Sequence, residues 1–84
     1  MLLSDIKPIL TNISKLSSAD LVFELSKDRD KPWCEFKNGR AITQNALAMI
    51  LKPYGIKPKP MRIGSLTFRG YELSQFTDTF DRYL

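Results

Sequence analysis

The residues best equipped for chemistry in this 84-residue chain are its cations. Lys52, Lys57, Lys59, Arg62 and Arg69 fall within 18 residues, and no acidic side chain interrupts them. Such a run can neutralise phosphates. Each Lys or Arg that does so releases a condensed counterion, so the binding weakens with salt. Just upstream stand Gln44 and Asn45, whose amides can bond adenine bidentately in a major groove. Ala48 lies one helical turn further on, and Arg40 adds a cation ahead of them all. The bland reading stays open beside this one. A basic run also serves as a solvated face, and Gln44 and Asn45 also suit the first turn of any exposed helix.

Catalytic chemistry finds little to work with. The chain has no His and one Cys. Those counts exclude a Ser-His-Asp triad, a Cys-His dyad, a His-ligated metal and an internal disulfide. Cys34 stands beside Trp33 and reads as a packed thiol rather than a nucleophile. Among the carboxylates, Asp28 and Asp30 lie in a charged loop, and Asp78 and Asp81 on the outer side of a short helix. None pairs with another in an apolar setting. There is no phosphate loop, no Gly-rich dinucleotide turn and no metal-ligand cluster. A core this small leaves no room for a deep pocket. The expectation is a binding protein, not an enzyme, with no catalytic residue, metal or cofactor.

The bulk numbers agree with a folded chain. At 9.7 kDa it has the length of one domain spanning residues 1–84. Hydrophobic residues make up 43% and charged residues 26%, close to a globular average, which argues against disorder or a fibrous repeat. The net charge of +4 permits a polyanionic partner without requiring one. It is unevenly placed: the first 42 residues are close to neutral, and the second half carries most of the excess. The N-terminal Met1-Leu2-Leu3-Ser4-Asp5 lacks the basic start and apolar run of a signal peptide. No stretch approaches the ~18 apolar residues of a membrane span. A cytoplasmic soluble protein, or a domain cut from a longer one, is expected.

Periodicity places these residues on elements. Ile6, Ile9, Leu10 and Ile13 repeat at helical spacing, with Ser4 or Asp5 as cap and Pro8 tolerated only near the first turn. Lys15-Leu16-Ser17 reads as a short extended link. Ser18 then caps a helix that buries Leu21, Val22 and Leu25 and fades near Lys27. Residues 31 to 42 form an irregular stretch pinned by a buried Trp33, with a turn at Gly39. Thr43 caps a third helix whose stripe is Leu47, Ile50, Leu51 and Tyr54, with Gln44, Asn45, Ala48 and Lys52 opposite. Pro53 and Gly55 end it. Lys57-Pro58-Lys59-Pro60 is stiff and extended. Met61-Arg62-Ile63 and Thr67 to Tyr71 flank a Gly64 turn as a β-hairpin. Ser74 caps a last helix carrying Phe76, Phe80, Tyr83 and Leu84 on one face.

This order predicts an α+β, mainly helical fold of winged-helix type: three helices, a short strand, a hairpin wing and an added C-terminal helix. In such a fold the outer face of the third helix is free to enter a major groove, and the hairpin lies along the backbone or in the minor groove. One departure is plain. The link between the second and third helices runs about 15 residues, where a helix-turn-helix uses about 3 to 4.

Several segments also carry a family resemblance. They are Ser18-Ala19-Asp20-Leu21, Pro32-Trp33, Gly39-Arg40-Ala41-Ile42-Thr43 and Leu47-Ala48. Leu51-Lys52-Pro53-Tyr54-Gly55-Ile56-Lys57-Pro58, Ile63-Gly64, Arg69-Gly70-Tyr71 and the ending Phe76 to Leu84 complete the set. Together they resemble the C-terminal domain of a bacterial family of unknown function. That domain closes many plasmid- and prophage-encoded primase/helicase-like proteins. The Tyr-Gly-Ile-Lys-Pro and Arg-Gly-Tyr segments are its most specific parts. The resemblance implies the tail of a larger replication-associated protein and supplies no catalytic residues.

Two partners follow as expectations. The first is nucleic acid, DNA before RNA or a single strand. Gln44, Asn45 and Ala48 would face the groove, and Arg40, Lys52, Lys57, Lys59, Arg62 and Arg69 would meet phosphate. The second is protein, either the rest of the parent polypeptide or another replication protein, docked on exposed Met49, Met61 and Phe23.

Overall fold

A computed structural model describes residues 2–84, the side chain of Ile63 apart. The fold is α+β: four helices and one three-stranded antiparallel sheet. The helices are α1 (Leu2–Asn12), α2 (Ser18–Lys27), α3 (Gln44–Leu51) and α4 (Thr77–Tyr83). The strands are β1 (Lys15–Ser17), β2 (Lys59–Ile63) and β3 (Leu66–Glu72), in the order β1-β3-β2. β1 pairs with β3 through Leu16↔Tyr71, and the hairpin pairs Met61↔Phe68 and Arg62↔Thr67. The buried residues of all four helices, with Ile56 and Tyr71, form one apolar cluster.

Each helix forms where its caps and stripe allow. In α2 and α3 a hydroxyl satisfies an orphan first-turn N–H: Ser17 accepts from Asp20 N at 3.0 Å and Thr43 from Ala46 N at 3.1 Å. The cap of α2 is therefore Ser17 and not Ser18, which enters the helix and is buried. Ser17 already has extended backbone as the last residue of β1, and a cap needs just that geometry. α1 starts earlier than Pro8 alone would predict, and Pro8 lies in its interior. Leu2 and Leu3 are buried and extend the stripe of Ile6 and Leu10 backwards, so packing offsets the lost hydrogen bond. Ile13, expected on that stripe, is exposed beyond the helix end.

The long link after α2 is organised. Pro32–Glu35 make a single 3-10 turn that buries Trp33. The Trp33 indole N–H donates to Asp5 Oδ2 at 2.7 Å, and Lys31 pairs with the same carboxylate at 3.3 Å. Burial alone would raise the Asp5 pKa, but these two partners outweigh it and hold the carboxyl below its ordinary value. Asn38 and Gly39 both have positive φ, 53° and 73°, and Lys37 and Arg40 exchange backbone hydrogen bonds across them. That is a two-residue hairpin turn of the primed type, for which Asn-Gly is the favoured pair. Cys34 is half-buried, with its Sγ 3.4 Å from the Lys31 carbonyl oxygen.

The hairpin and the C-terminus bring further differences. β2 begins at Lys59, so Pro60 lies inside a strand. It is tolerated because β2 is an edge and Pro60 has no N–H to offer a ladder. Met61, expected to be exposed, is buried. Ser74 does not cap the last helix. Glu72 and Gln75 form a reciprocal capping box on a 3-10 turn, and α4 follows from Thr77. Phe76 and Phe80 are buried, but Tyr83 and Leu84 are exposed, as is Tyr54 at the end of α3. Tyr71 is fully buried, its hydroxyl has no partner among the described residues, and burial pushes its pKa up. No helix of the described residues is long and apolar enough to cross a membrane.

Candidate nucleic-acid interface

One groove gathers residues far apart in sequence. Ala48, Met49 and Lys52 from α3, Lys57 and Pro58 from the following segment, and Arg69 from β3 line it together. Asn45, Ala48, Met49 and Lys52 stand at i, i+3, i+4 and i+7, so they form one outer stripe of α3. Leu47 and Leu51 hold the opposite side in the core. Gln44 and Asn45 are exposed in the first turn of α3.

The turn after α3 sets the groove's geometry. Gly55 adopts the left-handed conformation, φ 75° and ψ 14°, and its N–H returns to the Lys52 carbonyl at 2.9 Å. Ile56 is buried and anchors the chain on its way out. Gln75 then does two jobs. Its Oε1 accepts from Glu72 N at 2.9 Å, and its Nε2 donates to the Lys57 carbonyl at 2.7 Å. This clamp fixes the backbone that carries Lys57 beside β3.

The sheet register divides the remaining cations. Side chains alternate across a strand, and directly paired residues share a face. Arg69 pairs with Pro60 and Arg62 with Thr67, so Arg62 and Arg69 lie on one face, roughly 7–8 Å apart on the diagonal. Tyr71 shares that face and points into the core. Lys59 lies on the other face and is ion-paired with Glu72. That hydrogen bond from Lys59 lowers the Glu72 pKa. Lys59 thus leaves the set, its charge answered locally. Arg62 donates from Nε to the Gly64 carbonyl at 3.2 Å, which lays its guanidinium over the hairpin turn. Arg40 lies apart, in a smaller groove with Lys37, Asn38 and Ala46.

Lys52, Lys57, Arg62, Arg69 and Arg40 make no ion pair among the described residues. The groove therefore offers donors and positive charge with no carboxylate in its lining, over a floor of Ala48, Met49 and Pro58. Its lining holds no hydroxyl, thiol, carboxylate or imidazole. No group of His, Cys, Asp and Glu that could hold a metal occurs among the described residues. Sequence reasoning missed Met49 and Pro58 as groove residues. For Met49 the signal was available, since it stands four residues after Asn45 and three before Lys52 on the same helix.

A family model described as a protein of unknown function (DUF3631) matches residues 1–83. No curated protein matches the chain, and no solved structure does.

Proposed function

We propose that this chain, which by that match belongs to the DUF3631 family of proteins of unknown function, is a nucleic-acid-binding module of winged-helix type without catalytic activity of its own. The order α1-β1-α2-α3-β2-β3, with β1 paired to β3, supports the winged-helix reading. In it α3 is the recognition helix, the β2–β3 hairpin is the wing, and α4 is an addition.

One observation carries the function: the acid-free groove where Lys52, Lys57 and Arg69 converge beside the outer stripe of α3. A duplex laid against it would meet phosphate contacts from these three and from Arg62. Gln44, Asn45 and Ala48 would face the base edges, with Arg40 at the flank. DNA is the favoured ligand, and the setting we infer is the replication protein of a mobile element, of primase or helicase type. Fluorescence anisotropy with a labelled duplex and a labelled single strand tests it. Binding at about 50 mM salt that weakens steeply with added salt is expected. Absence of binding there, or binding unchanged when Arg62 and Arg69 are both replaced by Ala, overturns it.

A second reading has its own observation. Met49 is 74% exposed and Phe23 62%, large apolar side chains that a docking protein would cover. NMR shift mapping separates the two. Shifts confined to Met49 and Phe23 on adding a replication partner, with none on adding DNA, would favour docking. Met61 takes no part in either reading, because it is buried.

A further inference from the structure

The hairpin has two chemically opposite faces. Arg62, Thr67 and Arg69 occupy the face turned toward the α3 groove. Leu66, Phe68 and Met61 occupy the other, with the mutually paired Lys59 and Glu72 at its far end. Met61 is buried and Phe68 half-buried beside it, so they form a supported apolar base. Leu66 extends this base to the tip, directly after the Gly64-Ser65 turn, and is 72% exposed. Beside Leu66 the open edge of β3 is lined by Thr67, Phe68, Leu16 and Ser17, with one cation, Lys15, and one anion, Asp20. The charges there cancel, so this edge has no net attraction for phosphate. At the turn itself the Arg62 guanidinium is folded back onto the Gly64 carbonyl, so a cation stands beside the apolar tip.

In a uniform duplex the bases are stacked and show only their edges in the grooves, so an apolar tip finds no open base face there. A junction between duplex and single strands presents both chemistries at once: a backbone, and the exposed face of a terminal base pair. We propose that the hairpin is a pin for a duplex–single-strand junction. Its basic face tracks the backbone of one strand through Arg62 and Arg69, and Leu66, backed by Phe68, abuts the last base pair. Apolar side chains inserted at base steps are an established means of unstacking them. The inference rests on the nucleic-acid reading above and narrows its ligand class from duplex to junction.

The test compares a forked duplex with a duplex of the same paired sequence closed by a loop at each end, so that no terminal base pair is open, with 2-aminopurine at the first paired position beside the fork. The fork is expected to bind about tenfold tighter, a difference of ~1.4 kcal/mol, and the 2-aminopurine fluorescence to rise on binding. Leu66→Ser should remove both effects while leaving closed-duplex affinity within about twofold, since Leu66 contributes nothing to phosphate binding. Leu66→Met, which keeps a long apolar side chain, should retain them. Circular dichroism checks that the variants fold. Equal affinity for fork and closed duplex, or a fork preference that survives Leu66→Ser, overturns the pin and leaves the nucleic-acid reading standing. No binding to either duplex overturns both. A dimer of the free protein that Leu66→Ser dissolves assigns the tip to a second copy and also overturns the pin.

Discussion

Replacing Lys52, Lys57 and Arg69 together by Ala asks whether the groove or mere net charge binds nucleic acid. All three are exposed and lack ion-pair partners, so their removal should leave the fold intact. On B-DNA each neutralised phosphate contributes about −0.9 to the slope of log affinity against log salt. Three groove contacts then correspond to a slope of about −2.7, and adding Arg62 and Arg40 brings it to about −4.5. Between about 50 and 200 mM salt the smaller slope alone weakens binding roughly 40-fold. Anisotropy titrations across that range should find the triple variant shallower by about 2.7. Lys59→Ala is the decisive control. It removes the same formal charge as Lys57→Ala from the same stretch of sequence, but Lys59 is paired with Glu72 on the other face of the sheet. Its slope should stay within about 0.3 of the unmodified chain. Lys59→Ala flattening the salt dependence as much as Lys57→Ala would refute the groove and leave a diffuse charge effect. An unmodified slope shallower than about −1 would refute phosphate contact altogether.

Three further outcomes concern the framework. Tyr71→Phe removes a buried hydroxyl without a partner and should stabilise the fold by about 1 kcal/mol in urea titrations. Burial raises the Tyr71 pKa, so the folded state holds the proton longer. Stability is then full below the ordinary value of 10.0 and falls as pH rises above it, a loss that Tyr71→Phe should lessen. Asp5→Asn should cost about 1–2 kcal/mol at pH 7, because Trp33 and Lys31 both donate to the ionised carboxylate. The Asp5 pKa is lowered from 3.8, so this contribution is present above that value and fades as pH falls through it. The gap between the two proteins should close in acid. Gly70→Ala should cost about 3 kcal/mol or more by thermal melting. Its Cβ would press on the Leu16 carbonyl oxygen and lie 2.7 Å from Ser17 Cα, forcing β1 off β3. Gly39→Ala meets open space and should cost only the ~1–2 kcal/mol of a left-handed conformation.

Much of the fold was legible because its signals are local. Thr43 caps α3, Gly55 ends the 3-10 turn Lys52–Tyr54 that follows it, and Gly64 turns the hairpin, each through the conformation of one or two residues. What sequence left open was decided at a distance. Two adjacent serines are equally competent caps, and pairing of β1 with β3 selects Ser17. Pro8 signals a helix start, but burial of Leu2 and Leu3 against the core carries α1 past it. Trp33 was readable as an anchor, whereas its bond to Asp5 spans 28 positions and has no local trace.

The site follows the same division, and that bears on what a basic run can mean. Five cations without an acid are visible to anyone counting. Which of them act together depends on a register of period two, where a shift of one residue would exchange Lys59 and Met61 for Pro60 and Arg62. The register is held by the Gly64 turn at one end and by the Gln75 clamp on Lys57 at the other. With both in place, Glu72 captures Lys59, and Arg69 is carried across to the stripe of α3. Charge density in sequence thus overstates the groove's cations by two, Lys59 and Arg62, and understates its apolar lining by two, Met49 and Pro58. A ligand of phosphate alone would need only the cations. The exposed Met49 within the groove and Leu66 at the tip are what the proposed ligand, with bases as well as backbone, would add.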